Sequence, residues 1–215
     1  FTARITAEPI YELKIGFAHH AYLCAEHADA LRTRIGEMRE PPLGLEVVPH
    51  PALEVLFDEI LAAPSGHEML SGCMNAIIQL TAAIRTYRDE TNPLTDAPSR
   101  RVLRFAELEL NDDMARWCDA CLLALPLSEQ GEFDFVWELQ RLTKLAGGLD
   151  GTESVVELSG SNLPRYYSAK PYVYDPIPRR DERWHDSFNQ GVNPEAFLYD
   201  PGMPSKPKAL MMLFK

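Results

Sequence analysis

The sequence lacks both long apolar runs and an excess of positive charge. A membrane-spanning helix needs roughly 20 predominantly apolar residues, and every apolar stretch among these 215 residues is shorter. No basic segment followed by an apolar one opens the sequence, so no secretory signal is predicted. The formal net charge is −11, whereas nucleic acids and anionic membranes attract basic proteins. The sequence therefore predicts a protein with no membrane partner and no nucleic-acid partner.

Common catalytic motifs are also missing from the chain. It contains no G-x-S-x-G, no P-loop and no G-x-G-x-x-G. These patterns expose a nucleophilic serine or cradle phosphates in front of a helix. The sequence thus gives no indication of a serine hydrolase, a P-loop enzyme or a dinucleotide-binding enzyme.

Cysteine is scarce, with only Cys24, Cys73, Cys118 and Cys121 present. Cys118 and Cys121 form a single C-x-x-C, whereas a four-thiolate zinc site needs two such pairs. The pair also lies in the middle of a predicted helix, while a redox pair belongs at a helix start, where the dipole activates the thiol. We therefore expect buried free thiols, a reducing compartment and a cytoplasmic location.

Apolar residues recur at steps of three and four in five segments, which is the spacing of one helix face. The predicted helices cover 9–39, 51–62, 65–90, 98–124 and 132–146. A capping box at Ser65 and Glu68 opens the third helix, and Gly147 and Gly148 stop the fifth. Only the stretch SVVELS offers a different element, either one short strand or an extended turn. The fold class predicted is all-α, an antiparallel helical bundle formed by residues 1–160.

The composition changes at about residue 160. Eight of the 17 prolines and five of the eight tyrosines lie between Pro164 and Pro207. Prolines prevent regular helix, and aromatic rings gain free energy by packing. We therefore expect residues 161–215 to form an extended arm whose 164–207 part packs on the bundle or binds a protein partner or a second copy. The closing KPKALMMLFK predicts the start of a further, truncated helix.

The first predicted helix carries candidate metal ligands. At 100° per residue its apolar face is centred near Cys24, with Ala21 and Ala28 beside it. His20 and His27 lie about 40° and 60° from that centre, on the same side. An H-x-x-x-C-x-x-H strip can supply soft-metal ligands. The alternative is two core-flanking histidines that form hydrogen bonds with neighbouring helices.

The fourth predicted helix offers two carboxylates on one side. Glu109 and Asp113 are four residues apart, so they share a helix face and could hold a metal ion. They could equally form ion pairs with Arg116. Trp117 is at the centre of the apolar face of this helix, and we expect it to be buried. The candidate metal ligands are thus His20, His27, Glu109 and Asp113.

Two of these stretches resemble helices of the ferritin-like helical-bundle superfamily. CAEHADALRTRIGEMR is similar to a helix whose histidine precedes an Ala-Leu-Arg run, and PSRRVLRFAELELNDDMARW to the later metal-binding helix. By this likeness His27 corresponds to the family's histidine and Glu109 to its later glutamate. Cys24 stands where the family has glutamate, and Asp112 where it has the later histidine. The resemblance covers roughly residues 9–146.

The resemblance implies a function as well as a fold. A ferritin-like bundle with these residues implies a metal-dependent oxidase or oxygenase of the non-haem di-iron type, with iron as a di-metal cofactor. Two substituted ligand positions imply that the metal site in this segment is incomplete. The alternative is a non-catalytic scaffold or protein-binding module that has no cofactor and uses the aromatic arm as its contact surface.

Overall fold

The computed structural model describes residues 1–38, 44–125, 132–157, 163, 165–170 and 172–183, without the side chains of Asp113, Ala115, Glu132 and Phe133. In this part of the chain a short 3-10 helix, Thr2–Arg4, precedes five α-helices, and there is no strand. The helices are α1 (Tyr11–Glu37), α2 (Pro51–Leu61), α3 (Gly66–Glu90), α4 (Ala97–Ala124) and α5 (Glu132–Leu145). The all-α prediction is confirmed, and each predicted helix matches an observed one to within a few residues.

The predicted helix boundaries follow from local hydrogen bonds. The Ser65 hydroxyl oxygen accepts from the Glu68 backbone N–H at 3.2 Å, and its O–H donates to the Glu68 carboxylate at 2.7 Å. At the other end of the bundle, Gly147 and Gly148 adopt φ values of 84° and 81°, a region that favours glycine. The Gly148 N–H donates to the Thr143 carbonyl at 3.0 Å and closes the end of α5. Both signals predicted from the sequence are confirmed.

The five helices enclose one hydrophobic core. Helix α4 lies between α1 and α3, and α5 packs against α2 and α3. Each helix contributes large side chains that are almost fully buried, among them Phe17, Leu56, Met69, Leu110 and Phe135. No helix in the described ranges is long and apolar enough to cross a membrane.

Helices α1 and α4 run antiparallel and form the seam that carries the candidate ligands. Near the end of α1, the Arg34 Nε donates to the Ser99 hydroxyl at the start of α4 at 2.8 Å. Near the end of α4, the Trp117 Nε1 donates to the backbone carbonyl of Glu12 at the start of α1 at 3.2 Å. These two contacts fix the register of the α1–α4 seam at both ends.

The buried face of α1 differs from the predicted one. Cys24 is only half-buried and Ala28 is exposed, so the prediction of a face centred on Cys24 is wrong. The buried positions are Leu13, Gly16, Phe17, His20 and Leu23. Alanine methyl groups gain little free energy by burial, whereas the Trp117 indole packs closely against Gly16 and leaves no room for a Cβ there. The large ring, rather than the alanines, determines which face of α1 is buried.

A buried carboxylate on α2 attaches part of the C-terminal segment to the bundle. Glu59 is 1% exposed, and its oxygens accept from the backbone N–H groups of Tyr166, Tyr167 and Ser168 and from the Ser168 hydroxyl. The Tyr167 ring lies 5.2 Å from the Phe135 ring, centroid to centroid. The irregular stretch around Tyr166 is thus held by hydrogen bonds and by ring packing.

Further along, the same segment pairs with the N-terminal residues. The Arg179 N–H donates to the Thr6 carbonyl at 2.8 Å, and the Asp181 carboxylate accepts from the Tyr11 N–H at 2.9 Å. The described residues 165–170 and 172–183 therefore contact their own bundle. Whether 164–207 also binds a partner or a second copy stays a prediction, because residues 184–215, including the predicted further helix, lie outside the description.

Candidate functional site

The α1–α4 seam brings together two of the four predicted metal ligands. The His27 Nε2 lies 2.7 Å from the Glu109 Oε2, a hydrogen bond between residues 82 positions apart in the sequence. The His27 side chain is 14% exposed and that of Glu109 is 45% exposed. Glu109 thus contacts α1, and among the described side chains no ion pair joins it to Arg116. The pair lies at the edge of the core, where solvent and small solutes reach it.

His20 does not belong to this site. Its side chain is completely buried, with the Trp117 ring at 4.7 Å and the Phe1 ring at 5.6 Å, centroid to centroid. His27 follows His20 by seven positions on the same helix, which corresponds to about 10 Å along the axis. Aromatic packing against Trp117 thus places His20 in the core, away from the His27–Glu109 pair, and its role as a metal ligand stays a prediction.

The remaining sequence-predicted positions add no third donor among the described side chains. The Asp113 side chain lies outside the description, so its role as a ligand stays a prediction. Burial raises the pKa of the Cys24 thiol, which keeps it in the protonated form that binds metals poorly. Asp112, which stands at the family's later histidine, lines a groove between α3 and α4 instead of the α1–α4 seam.

The donor set fits one metal ion better than two. A di-metal carboxylate centre takes a glutamate from each of two helices and a Glu-x-x-His from each of two others. Among the side chains that the structure describes, no group of three or more histidine, cysteine or acidic residues is arranged to bind a metal. The described residues therefore do not supply the donor set of the di-iron centre that the family resemblance implies.

Two features of the structure were missed by sequence reasoning. Gly16 is the point of closest approach of Trp117 to α1, and a glycine inside a strongly helical segment was the available signal. Arg100, Arg101 and Arg104 line the α3–α4 groove. The basic run SRRVLR could have predicted this groove. The acidic net charge of the whole chain directed attention away from basic segments.

The thiols are predicted to be unreactive. All four cysteines are free, and burial raises the pKa of Cys73 and Cys121 to about 12 and that of Cys118 to about 11. Thiolate is the reactive form, so at pH 7.5 a disulfide reagent such as DTNB should modify at most the half-buried Cys24 in the native protein. All four should react after denaturation. Rapid modification of two or more thiols in the native protein would contradict the burial of the C-x-x-C pair.

Comparison with known proteins identifies no relative. No family model, no curated protein and no solved structure matches the chain. Assignment to the ferritin-like superfamily therefore stays an expectation based on two sequence stretches.

Proposed function

We propose that the protein is a metal-binding helical bundle of the ferritin-like kind, which holds one divalent transition-metal ion between His27 and Glu109. The observation that carries the proposal is the 2.7 Å contact between their side chains across the α1–α4 seam. Imidazole and carboxylate together suit iron, manganese and zinc. The two residues were selected from the sequence as ligands, and they are adjacent although they lie on different helices.

The proposed site would leave coordination positions open. Two protein donors occupy fewer positions than such ions use, so water or a substrate atom would complete the set, and iron held there would supply oxidase or oxygenase chemistry. The half-exposed Glu109 side chain leaves an access route from solvent. His27 is mostly covered, which restricts the orientations of its ring. The chain's own contribution is thus a fixed imidazole and an accessible carboxylate.

Metal titration of purified, metal-free protein tests the proposal. We expect one equivalent of Fe²⁺, Mn²⁺ or Zn²⁺ to bind. His27→Ala and Glu109→Gln should each weaken the affinity by at least about tenfold, since even the loss of an outer-shell partner has an effect of that size. Equilibrium dialysis with elemental analysis measures both the stoichiometry and the affinity.

His19→Ala is the matched control, because His19 is an exposed histidine on the same helix. It should leave the affinity unchanged. Binding far below one equivalent, or equal losses in His19→Ala and His27→Ala, would rule out a site on the seam. Asp113→Asn tests the remaining predicted ligand, and a loss of affinity in that variant would identify a third donor.

A second candidate function is ligand binding without chemistry. The earlier expectation assigned this role to the aromatic arm, but the described parts of that arm are engaged by Glu59, Thr6 and Tyr11 of the same chain. The observation that favours binding is instead the groove between α3 and α4, which is lined by three arginines that have no acidic partner among the described residues.

A further inference from the structure

A basic groove lies on the side of α4 that faces α3. It encloses about 970 Å³ and is open to solvent. Besides two acids, Glu107 and Asp112, its lining includes four arginines and two large apolar side chains: Arg88, Arg100, Arg101, Arg104, Phe105 and Leu108. The chain as a whole has a net charge of −11. The arginines of this groove therefore form a basic patch on an otherwise acidic protein.

Three of these arginines have no acidic partner in the part of the chain that the structure describes. Arg88 is paired with Glu107 of α4, but within the described residues no ion pair and no side-chain hydrogen bond engages Arg100, Arg101 or Arg104. The Arg100 Nε is buried and has no acceptor among the described residues. A buried N–H group without an acceptor destabilises the folded protein. The burial of the Arg100 Nε is therefore not explained by a contribution to stability. An anionic ligand would supply the missing acceptor.

The position on the helix makes these charges unfavourable in the absence of a ligand. Helix α4 begins at Ala97, so Arg100 lies in its first turn, near the positive end of the helix dipole, and no acidic residue in that turn compensates this charge. Arg100 and Arg104 are also four residues apart, a spacing at which like charges repel. The carboxylate of the preceding Asp96 is directed to Arg34, Tyr87 and Thr91, so it does not neutralise the groove.

The apolar part of the groove is exposed and includes an aromatic ring. Phe105 is 51% exposed and Leu108 is 56% exposed. The Arg101 guanidinium lies 5.2 Å from the centroid of the Phe105 ring. A flat ring beside a guanidinium is a surface on which a planar aromatic group can stack. The groove thus combines arginine N–H groups, which can donate hydrogen bonds to phosphate, with a ring on which a base can stack.

We infer that this groove binds a nucleoside polyphosphate, with the phosphates at Arg100 and Arg104 and the base at Phe105 and Arg101. Guanidinium groups bind phosphate oxygens in a bidentate manner. A compact ligand fits better than a nucleic-acid strand, since a strand would extend over the acidic surface beyond the screening length of about 8 Å. The inference is independent of the proposed metal site.

Calorimetric titration with ATP, in buffer containing EDTA to remove metal ions, tests the inference. We expect Arg100→Gln and Arg104→Gln to weaken ATP binding by at least about tenfold each, because each removes a charge-assisted phosphate contact. Arg104 is exposed, so its variant is informative even if Arg100→Gln fails to fold. The matched control is Arg32→Gln, an exposed arginine of α1 that pairs with Glu46, and it should bind ATP normally.

Titration with inorganic tripolyphosphate, which has no base, distinguishes the phosphate contacts of the groove from its contact with the base. Phe105→Ala should weaken ATP binding and leave tripolyphosphate binding unchanged, while Phe57→Ala, which alters a similarly exposed ring on α2, should affect neither. The inference is overturned if ATP does not bind, if tripolyphosphate binds as tightly as ATP, or if Arg32→Gln is as damaging as Arg104→Gln. A glutamate-rich peptide that binds more tightly than ATP would assign the groove to an acidic protein segment instead.

Discussion

Replacement of Trp117 by alanine is expected to lower the free energy of unfolding by about 3 to 5 kcal/mol, the usual range for a core aromatic. The side chain is 8% exposed, and its ring lies 5.9 Å from that of Phe17 and 4.7 Å from that of His20. Its Nε1 also donates to the Glu12 carbonyl. The variant would lose these contacts and open a cavity against Gly16.

Urea unfolding measures this effect, and Trp137→Ala is the matched control. Trp137 is 62% exposed on α5, and surface substitutions usually change stability by less than about 0.5 kcal/mol. A loss below about 1 kcal/mol for Trp117→Ala would mean that the indole does not hold α1 to α4, a finding that contradicts the described packing of the seam.

Replacement of Glu59 by glutamine is expected to lower the free energy of unfolding by at least about 3 kcal/mol. Three backbone N–H groups and one hydroxyl converge on this carboxylate, which is 1% exposed. Glutamine has nearly the same shape, but its NH₂ group would face donors and leave some of them without an acceptor. Each unsatisfied buried group costs about 1 to 3 kcal/mol.

Hydrogen exchange of the Tyr166, Tyr167 and Ser168 amides locates the effect, and urea unfolding measures its size. The matched control is Glu54→Gln, an exposed glutamate on the same helix, which should change neither quantity. Unchanged exchange at the three amides in Glu59→Gln would contradict the attachment of this segment to α2.

The helices could be predicted because their signals are local. The Ser65 capping box and the paired Gly147 and Gly148 act within a few residues of the ends that they define, and these ends are found as predicted. The buried face of α4 was also predicted correctly, since leucines and Trp117 are large enough to determine which face is buried. The buried face of α1 was predicted wrongly, because the predicted centre at Cys24 is flanked by alanines, which are too small to determine which face is buried.

The candidate site could be predicted only in part. His27 and Glu109 were selected by helix geometry on their own helices, but their contact depends on the α1–α4 register, which Trp117 and Arg34 fix. The Glu59 attachment could not be foreseen, because it joins a helix to an irregular segment more than 100 residues later. A buried glutamate looks like any helix-surface glutamate in the sequence.

The proposal that His27 and Glu109 hold a metal ion is tested most directly by nitrogen-15 NMR of the histidine rings during Zn²⁺ titration. The His27→Ala variant assigns the signal. We predict that the His27 ring nitrogens shift first and reach saturation at one equivalent, while the buried His20 ring stays unchanged. No shift of the His27 signal up to one equivalent, or an earlier shift of the exposed His19, would contradict the proposal.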